Sequence, residues 1–230
     1  MKAKRVVVTG ASSGIGKAIA CKLLAESIEV IALSRTPVKM DGVRHIPVDL
    51  RDKESIEAAF NQIKECDALV NNAGVAHCSP ISEGGVDEWD EMWEVNVRAL
   101  SYCSYLALDK FPDGGGQIIN LSSMSGHRVP PSGGFYASTK FAVRAVSEAL
   151  RLELRSKGSQ TRISSVSPGF VDTPLLDIYF KGRETQLVQT KKKVEFLTSG
   201  QVADQVIHIL NTPLSVEIGD ISLRSASQSV

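Results

Sequence analysis

TGASSGIG, residues 9–16, sits between a short apolar run, RVVVT (5–9), and a helix-compatible stretch, 14–26. Glycines at 10, 14 and 16 let a backbone turn sharply and approach a ligand with no Cβ in the way. A helix opening just behind them offers unpaired N–H groups and the positive end of its dipole, which suit a pyrophosphate. The spacing is G-x3-G-x-G rather than G-x-G-x-x-G, and alone such a turn is weak evidence. Its place between the first strand and the first helix makes it a phosphate loop. Gly10, Ser12, Ser13, Gly14, Ile15 and Gly16 are its candidate cofactor contacts.

Outward from this loop the same alternation continues. EVIALS (29–34), VRHIPV (43–48), DALVN (67–71), QIINLS (117–122), RISSVS (162–167) and IGDISL (218–223) read as further strands. Residues 52–65, 87–110, 136–157 and 200–211 read as helices between them. Near-continuous Val/Ile/Leu runs suit strands covered on both faces, so the expectation is an α/β fold, a parallel sheet wound with helices on both sides. No repeat or linker interrupts residues 1–230, which predicts one domain. Only Arg35 to Gly42 separates the second and third strands, too few for the dozen or more residues of an ordinary crossover. The covering helix there is expected to be one turn or missing. In 136–157 the stripe 142, 145, 146, 149 and 150 is expected to face the sheet, leaving Phe141, Val143 and Leu152 on other sides. Tyr102 and Tyr105 likewise lie off the stripe of the preceding helix. Surplus apolar surface on two neighbouring helices predicts burial against another subunit.

The 230 residues carry 26 basic and 26 acidic side chains and are 43% hydrophobic. A neutral chain of this kind builds a core and advertises no field for nucleic acid or anionic lipid. TKKKVE (190–195) is then a solvated helix face. Cys21, Cys66, Cys78 and Cys103 are scattered, with no ligand spacing, so a reduced, metal-free protein is expected. The run after MKAK is only three valines long, short of the roughly 7–15 apolar residues of a signal peptide. No stretch approaches the ~20 needed to span a bilayer. Cytoplasm is the expected location, and the terminal SQSV is no recognisable address.

After the second strand stands ALSRTP, with neutral Ser34 and cationic Arg35 where a carboxylate would accept from the ribose of NAD. A guanidinium forks onto a 2′-phosphate, so NADP(H) is the expected cofactor. Further on, GFYASTKFAV (134–143) puts Tyr136 and Lys140 one helical turn apart. A phenol of pKa ~10 is a poor acid–base catalyst near neutrality. A cation at about 4 Å in an effective dielectric of about 20 contributes about 4 kcal/mol, which lowers that value. The pair is expected to exchange a proton with a carbonyl or alcohol oxygen.

TGASSGIG, NNAG (71–74), YASTK (136–140) and PG (168–169), in this order, resemble the short-chain dehydrogenase/reductase family. SSMSGHRV (122–129), EVNVRALS (94–101) and EIGDISLR (217–224) look most similar to its cytosolic NADP-dependent ketosteroid reductases and insect farnesol dehydrogenases. The resemblance implies one Rossmann-type doubly wound domain with strand order 3-2-1-4-5-6-7, a nicotinamide cofactor, and a homodimer or homotetramer. It also implies a catalytic set of Asn96, Ser123, Tyr136 and Lys140, with Ser122 the lesser candidate for the serine. Tyr136 would protonate the carbonyl oxygen and Ser123 would donate a second hydrogen bond to it. Lys140 would hold the nicotinamide ribose, and Asn96 would position a water beside the lysine. Asp49 with Leu50 would meet the adenine, and Asn71, Ala73 and Gly74 would wall the adenosine ribose. Pro168, Gly169, Val171 and Thr173 would hold the carboxamide and pyrophosphate.

The segment at about 172–199 is expected to be the substrate lid. Leu175, Leu176, Ile178, Tyr179 and Phe180 give it an apolar interior, and no arginine-plus-lysine clamp for a carboxylate stands out. The expected substrate is a hydrophobic ketone, aldehyde or alcohol of steroid, retinoid or isoprenoid size. His77 and His127 sit in loops bordering the pocket and are left out of the catalytic set. Two rival readings remain: an NADPH-binding sensor or scaffold without turnover, and a sugar-nucleotide epimerase, which would need a C-terminal substrate domain.

Overall fold

In the computed structural model, which describes residues 3–130 and 133–228, the first strand β1 (Arg5–Thr9) lies near the middle of the sheet. Its residues alternate faces, as a period of two requires. Val6 and Val8 join one core cluster with Ile19, Leu23, Val202 and Val206, while Val7 joins the other with Phe60, Leu69 and Ile118. Each face of the sheet therefore has its own apolar layer, and helices must cover both.

The remaining strands are β2 (Glu29–Ser34), β3 (Val43–Pro47), β4 (Ala68–Asn71), β5 (Gln117–Leu121), β6 (Arg162–Pro168) and β7 (Asp220–Leu223). Together with β1 they form a seven-stranded sheet in the order β3-β2-β1-β4-β5-β6-β7. Every pairing is parallel, with Val6 opposite Val30 and Val8 opposite Val70. The order reverses between β1 and β4, and ligands of open α/β sheets bind outside the strand ends at such a switch point.

The helices are α1 (Gly14–Ala25), α2 (Lys53–Asn61), α3 (Val86–Trp93), α4 (Leu100–Leu108), α5 (Gly134–Ser156), α6 (Pro174–Tyr179), α7 (Glu184–Lys193) and α8 (Ser199–Leu210). No helix lies between β2 and β3, as the eight-residue joint implied. The expected helix over 87–110 is α3 and α4 joined by a π-helical turn, Glu94–Ala99. Asp52 caps α2 by accepting from the Glu54 N–H, and Thr198 with Gln201 forms a capping box on α8.

The expected inner face of α5 is a correction. Ala145 and Ala149 are exposed, while Val143, expected on another side, is fully buried. The stripe that meets the sheet is Ala137, Lys140, Val143, Ser147 and Leu154. It carries a lysine and a serine because that face serves polar partners: Ser147 Oγ accepts from Asn120, whose Oδ1 accepts from Asn71. Phe141, Leu152 at 53% and Tyr105 at 61% are the exposed large apolar side chains of α5 and α4.

Candidate active site

The ends of β1 and β4 are tied together at the switch point. Thr9, the last residue of β1, accepts on its Oγ1 from the N–H groups of Asn72 and Ala73, both at 3.0 Å. Asn72 Nδ2 returns bonds to the carbonyls of Thr9 and Gly10. Gly10 and Gly14 have positive φ, 68° and 52°, where a side chain would be strained. Gly16 does a different job: a Cβ there would stand 2.3 Å from the Gly10 oxygen. It lets α1 seat against the loop and does not itself line the cleft.

The loops after β1 to β6 enclose a cleft of about 660 Å³. Gly10, Ser12, Ser13, Gly14, Ile15, Ser34, Arg35, Asp49, Leu50, Ala73, Gly74, Ser123, Tyr136, Lys140, Pro168, Gly169, Val171 and Thr173 all line it. Asn71 does not. Its side chain is buried and donates to Ser104 Oγ and Asn120 Oδ1, both at 2.9 Å, so Asn72 takes the place on the wall expected of Asn71.

The cleft suits a dinucleotide phosphate at one end. Ser13 precedes α1 without a side-chain cap bond, so the first N–H groups of the helix are left for an anion. Exposed Arg35 stands beside Ser34, whose hydroxyl is turned to the Thr36 carbonyl at 2.7 Å. Asp49 is forked by Arg51, which holds its carboxyl down at about 2. The Arg51 N–H adds a third bond to Oδ1 at 3.0 Å, so one of its roughly four acceptor directions remains for an adenine.

At the other end Ser123, on the turn after β5, hydrogen-bonds Tyr136. Ser122 is buried and spends its hydroxyl on the Lys140 carbonyl, which leaves Ser123 as the serine in reach of a ligand. Lys140 is buried; its Nζ donates to the Leu121 carbonyl at 2.9 Å and lies 5.8 Å from the Tyr136 ring centroid. Burial pulls that ammonium down to about 8. Burial also pushes the Tyr136 phenol well above its ordinary value, and the Ser123 bond opposes this only in part. The fall toward neutrality expected from Lys140 together with an oxidised nicotinamide is not seen in the protein alone, where removal from water sets the direction. Near neutral pH the phenol therefore keeps its proton.

Asn96 stands close behind the cleft wall. It does not line the cleft. Its carboxamide accepts from Val75 N–H and donates to the Val75 carbonyl and to Thr139 Oγ1. A Cβ on Gly74 would lie 3.2 Å from Asn96 Oδ1 and 3.7 Å from Lys140 Nζ, so the three positions are packed together. Asn96 is thus a positioning residue that holds the β4 loop against α5. The π-helical turn that carries it is a form often found at functional sites.

The lid is helical. Thr173 precedes α6, with Pro174 in its first turn, and the Tyr136 and Tyr179 rings meet edge to face at 5.9 Å. Leu175, Leu176, Ile178 and Phe180 line the cleft, as do Gln186 and Thr190 of α7. Lys191, Lys192 and Lys193 stand exposed in the last turn of α7. Neither loop histidine lines the cleft: His77 pairs with Glu91 at 2.9 Å and His127 with Asp220 at 3.1 Å. The sequence reading missed Gln228, whose Oε1 accepts from Phe170 N–H at 3.1 Å and whose side chain reaches the cleft. No sequence signal marks it; of the terminal SQSV, Ser229 and Val230 lie outside the described residues.

Comparison with known proteins agrees with this geometry. A family model described as short chain dehydrogenase matches residues 4–184. The chain is 36% identical over 244 residues to dehydrogenase/reductase SDR family member 11 of Bos taurus, covering 96% of each. It is 32% identical over 235 residues to an uncharacterized oxidoreductase of Staphylococcus aureus (strain USA300), again 96% of each. Among solved structures, the closed form of a serine dehydrogenase complexed with NADP+ superposes with a TM-score of 0.91 at 28% identity, over 98% of this chain and 96% of that one. An alcohol dehydrogenase from the archaeon Thermococcus sibiricus, complexed with 5-hydroxy-NADP, gives 0.86 at 27% identity, over 99% and 98%. No helix among the described residues is long and apolar enough to cross a membrane.

Proposed function

The chain belongs to the short-chain dehydrogenase family of oxidoreductases, and from that premise we propose that it interconverts a carbonyl and an alcohol with NADP(H), on a substrate with a hydrophobic body. The observation that carries this reading is the meeting of Tyr136, Ser123 and Lys140 on one wall of the cleft. When bound, the nicotinamide supplies or accepts the hydride.

The protein's own residues handle the oxygen. Tyr136, kept neutral by burial, donates its proton to the carbonyl oxygen in the reductive direction. Ser123 donates a second hydrogen bond to that oxygen, stabilising the charge that develops there. Lys140 is mostly protonated at pH 7, given a value of about 8, and its cation favours the transient phenolate. Asn96 and Gly74 keep the lysine in register. At the far end Arg35 would hold the 2′-phosphate, and the uncapped start of α1 would take the pyrophosphate. The apolar lid excludes water and supports a substrate of steroid, retinoid or isoprenoid size. The exposed apolar faces of α4 and α5 support a homodimer or homotetramer.

The test follows NADPH absorbance with ketosteroids, retinals, terpenoid aldehydes and small diketones, each repeated with NADH. Turnover preferring NADPH is expected. Tight NADPH binding with no oxidation by any member would instead favour a non-catalytic sensor.

A further inference from the structure

The charges lining the cleft do not cancel. The acids are Asp49 and Glu91, and both are paired within the protein, with Arg51 and His77 respectively. The cations are Arg35, Arg51, Arg128 and Lys140. Arg51 is spent on Asp49, Lys140 on the Leu121 carbonyl, and Arg35 stands where a 2′-phosphate would lie. Arg128 alone has no assigned task. It is half-buried in the cleft wall, and among the described residues its guanidinium has no hydrogen-bond or ion-pair partner. Five N–H donors left unmatched in a part-dry cleft are costly unless a ligand answers them.

Its place in the fold is nearer the reacting end than the phosphates: the preceding residue, His127, pairs with Asp220 of β7, on the side of β5 away from β1. Arg128 closes the turn that begins at Ser123, with its N–H on the Met124 carbonyl at 3.3 Å. At a rise of about 2 Å per residue in so tight a turn, its backbone lies within about 10 Å of Ser123. The strand feeding this turn, β5, stands two places from β1 and three from β2. At about 4.8 Å per strand, that separates the turn from the phosphate loop by about 10 Å and from Arg35 by about 14 Å. Arg128 therefore belongs to the reacting end of the cleft, to which the segment after β6 contributes Leu175, Leu176, Ile178 and Phe180 beside the polar Gln186 and Thr190.

We propose that Arg128 is a specificity residue that grips a carboxylate on the substrate, so that the compound reduced is an apolar oxo acid, or in reverse an apolar hydroxy acid. This deepens the oxidoreductase reading and rests on it. A guanidinium presents two parallel N–H groups to a carboxylate. The apolar lid then holds the hydrocarbon part while the fork fixes which carbonyl reaches Tyr136. The sequence hid this because a lone arginine in SSMSGHRV has no second cation nearby to suggest a clamp.

The test uses a positional ladder of oxodecanoic acids, each beside its methyl ester, with NADPH. Wild type is expected to prefer the acid over its ester at one or two positions. Arg128→Met is expected to lower that acid-to-ester ratio of kcat/KM ten- to hundredfold, the worth of one charged hydrogen-bonding contact. The loss should fall mainly in KM, and Arg128→Lys should recover part of it. A wild type that prefers the ester throughout, or a ratio that moves less than threefold in Arg128→Met, overturns the assignment while leaving the oxidoreductase reading intact. Should no acid, ester or diketone turn over, the oxidoreductase reading fails. Arg128 is then judged by calorimetry of the acids on the NADPH complex. Weaker binding to Arg128→Met upholds the carboxylate grip, and equal binding overturns it.

Discussion

Replacing Lys140 with methionine should make the cofactor-free protein more stable while removing its turnover. The ammonium is buried with one backbone carbonyl as partner, and burial lowers it from 10.5 to about 8. A gap of about 2.5 units at 1.36 kcal/mol per unit is a cost of about 3 kcal/mol to the folded state near neutrality. Methionine follows the lysine stem, removes the charge and loses the bond to Leu121, worth about 1 kcal/mol. The net gain is about 2 kcal/mol, or about 4–8 °C in Tm for a chain of this size. Because the folded value lies below the unfolded one, the unfolded chain binds more protons between about pH 8 and 10.5. Wild-type stability therefore catches up with Lys140→Met across that window; the penalty is full below it and absent above it. Thermal melts by circular dichroism at pH 7, 9 and 10.5 measure the difference. A variant no more stable than wild type at pH 7, or a gap that does not narrow as pH rises, would refute the account of this buried charge.

Three further outcomes follow from other parts of the cleft and surface. Arg35→Asp should cost ten- to hundredfold in kcat/KM with NADPH and raise relative use of NADH; unchanged preference removes Arg35 from the 2′-phosphate. Gly16→Ala puts a Cβ 2.3 Å from the Gly10 oxygen and 2.4 Å from Asn72 Nδ2. That overpacking should cost about 1–3 kcal/mol in a urea titration and weaken NADPH in a fluorescence titration; a neutral variant contradicts the close seating of α1. Phe141→Glu with Leu152→Glu, both exposed on α5, should reduce the mass seen by light scattering to that of a monomer, and an unaltered assembly places the interface elsewhere.

What the sequence made legible is what local chemistry dictates. The apolar runs gave strands to within a residue or two, and TGASSGIG gave the strand–loop–helix turn because Gly10 and Gly14 occupy backbone conformations other residues avoid. Failures arose where partners are remote in sequence. Asn71 and Asn72 differ by one step along a strand, and that step turns one side chain into the core toward Asn120 and the other to the cleft. Counting apolar residues misplaced the inner face of α5, because the true inner face carries Lys140 and Ser147 for the site and its polar support. Asn96 was legible as important, yet its bonds to Val75 and Thr139 depend on a loop and a helix far along the chain. The fall of the Lys140 pKa and the rise of the Tyr136 pKa follow from depth of burial, which spacing alone does not carry.

The central claim is that the Tyr136 hydroxyl is the proton donor in an NADPH-dependent reduction. Tyr136→Phe removes one oxygen and leaves the ring beside Tyr179. NADPH titration and NADPH oxidation, measured on the same sample with the best carbonyl of the panel, test it most directly. Cofactor affinity is expected to stay within a few-fold of wild type while turnover falls about 10²–10⁴-fold, the usual worth of a general acid. Turnover within threefold of wild type would contradict the account.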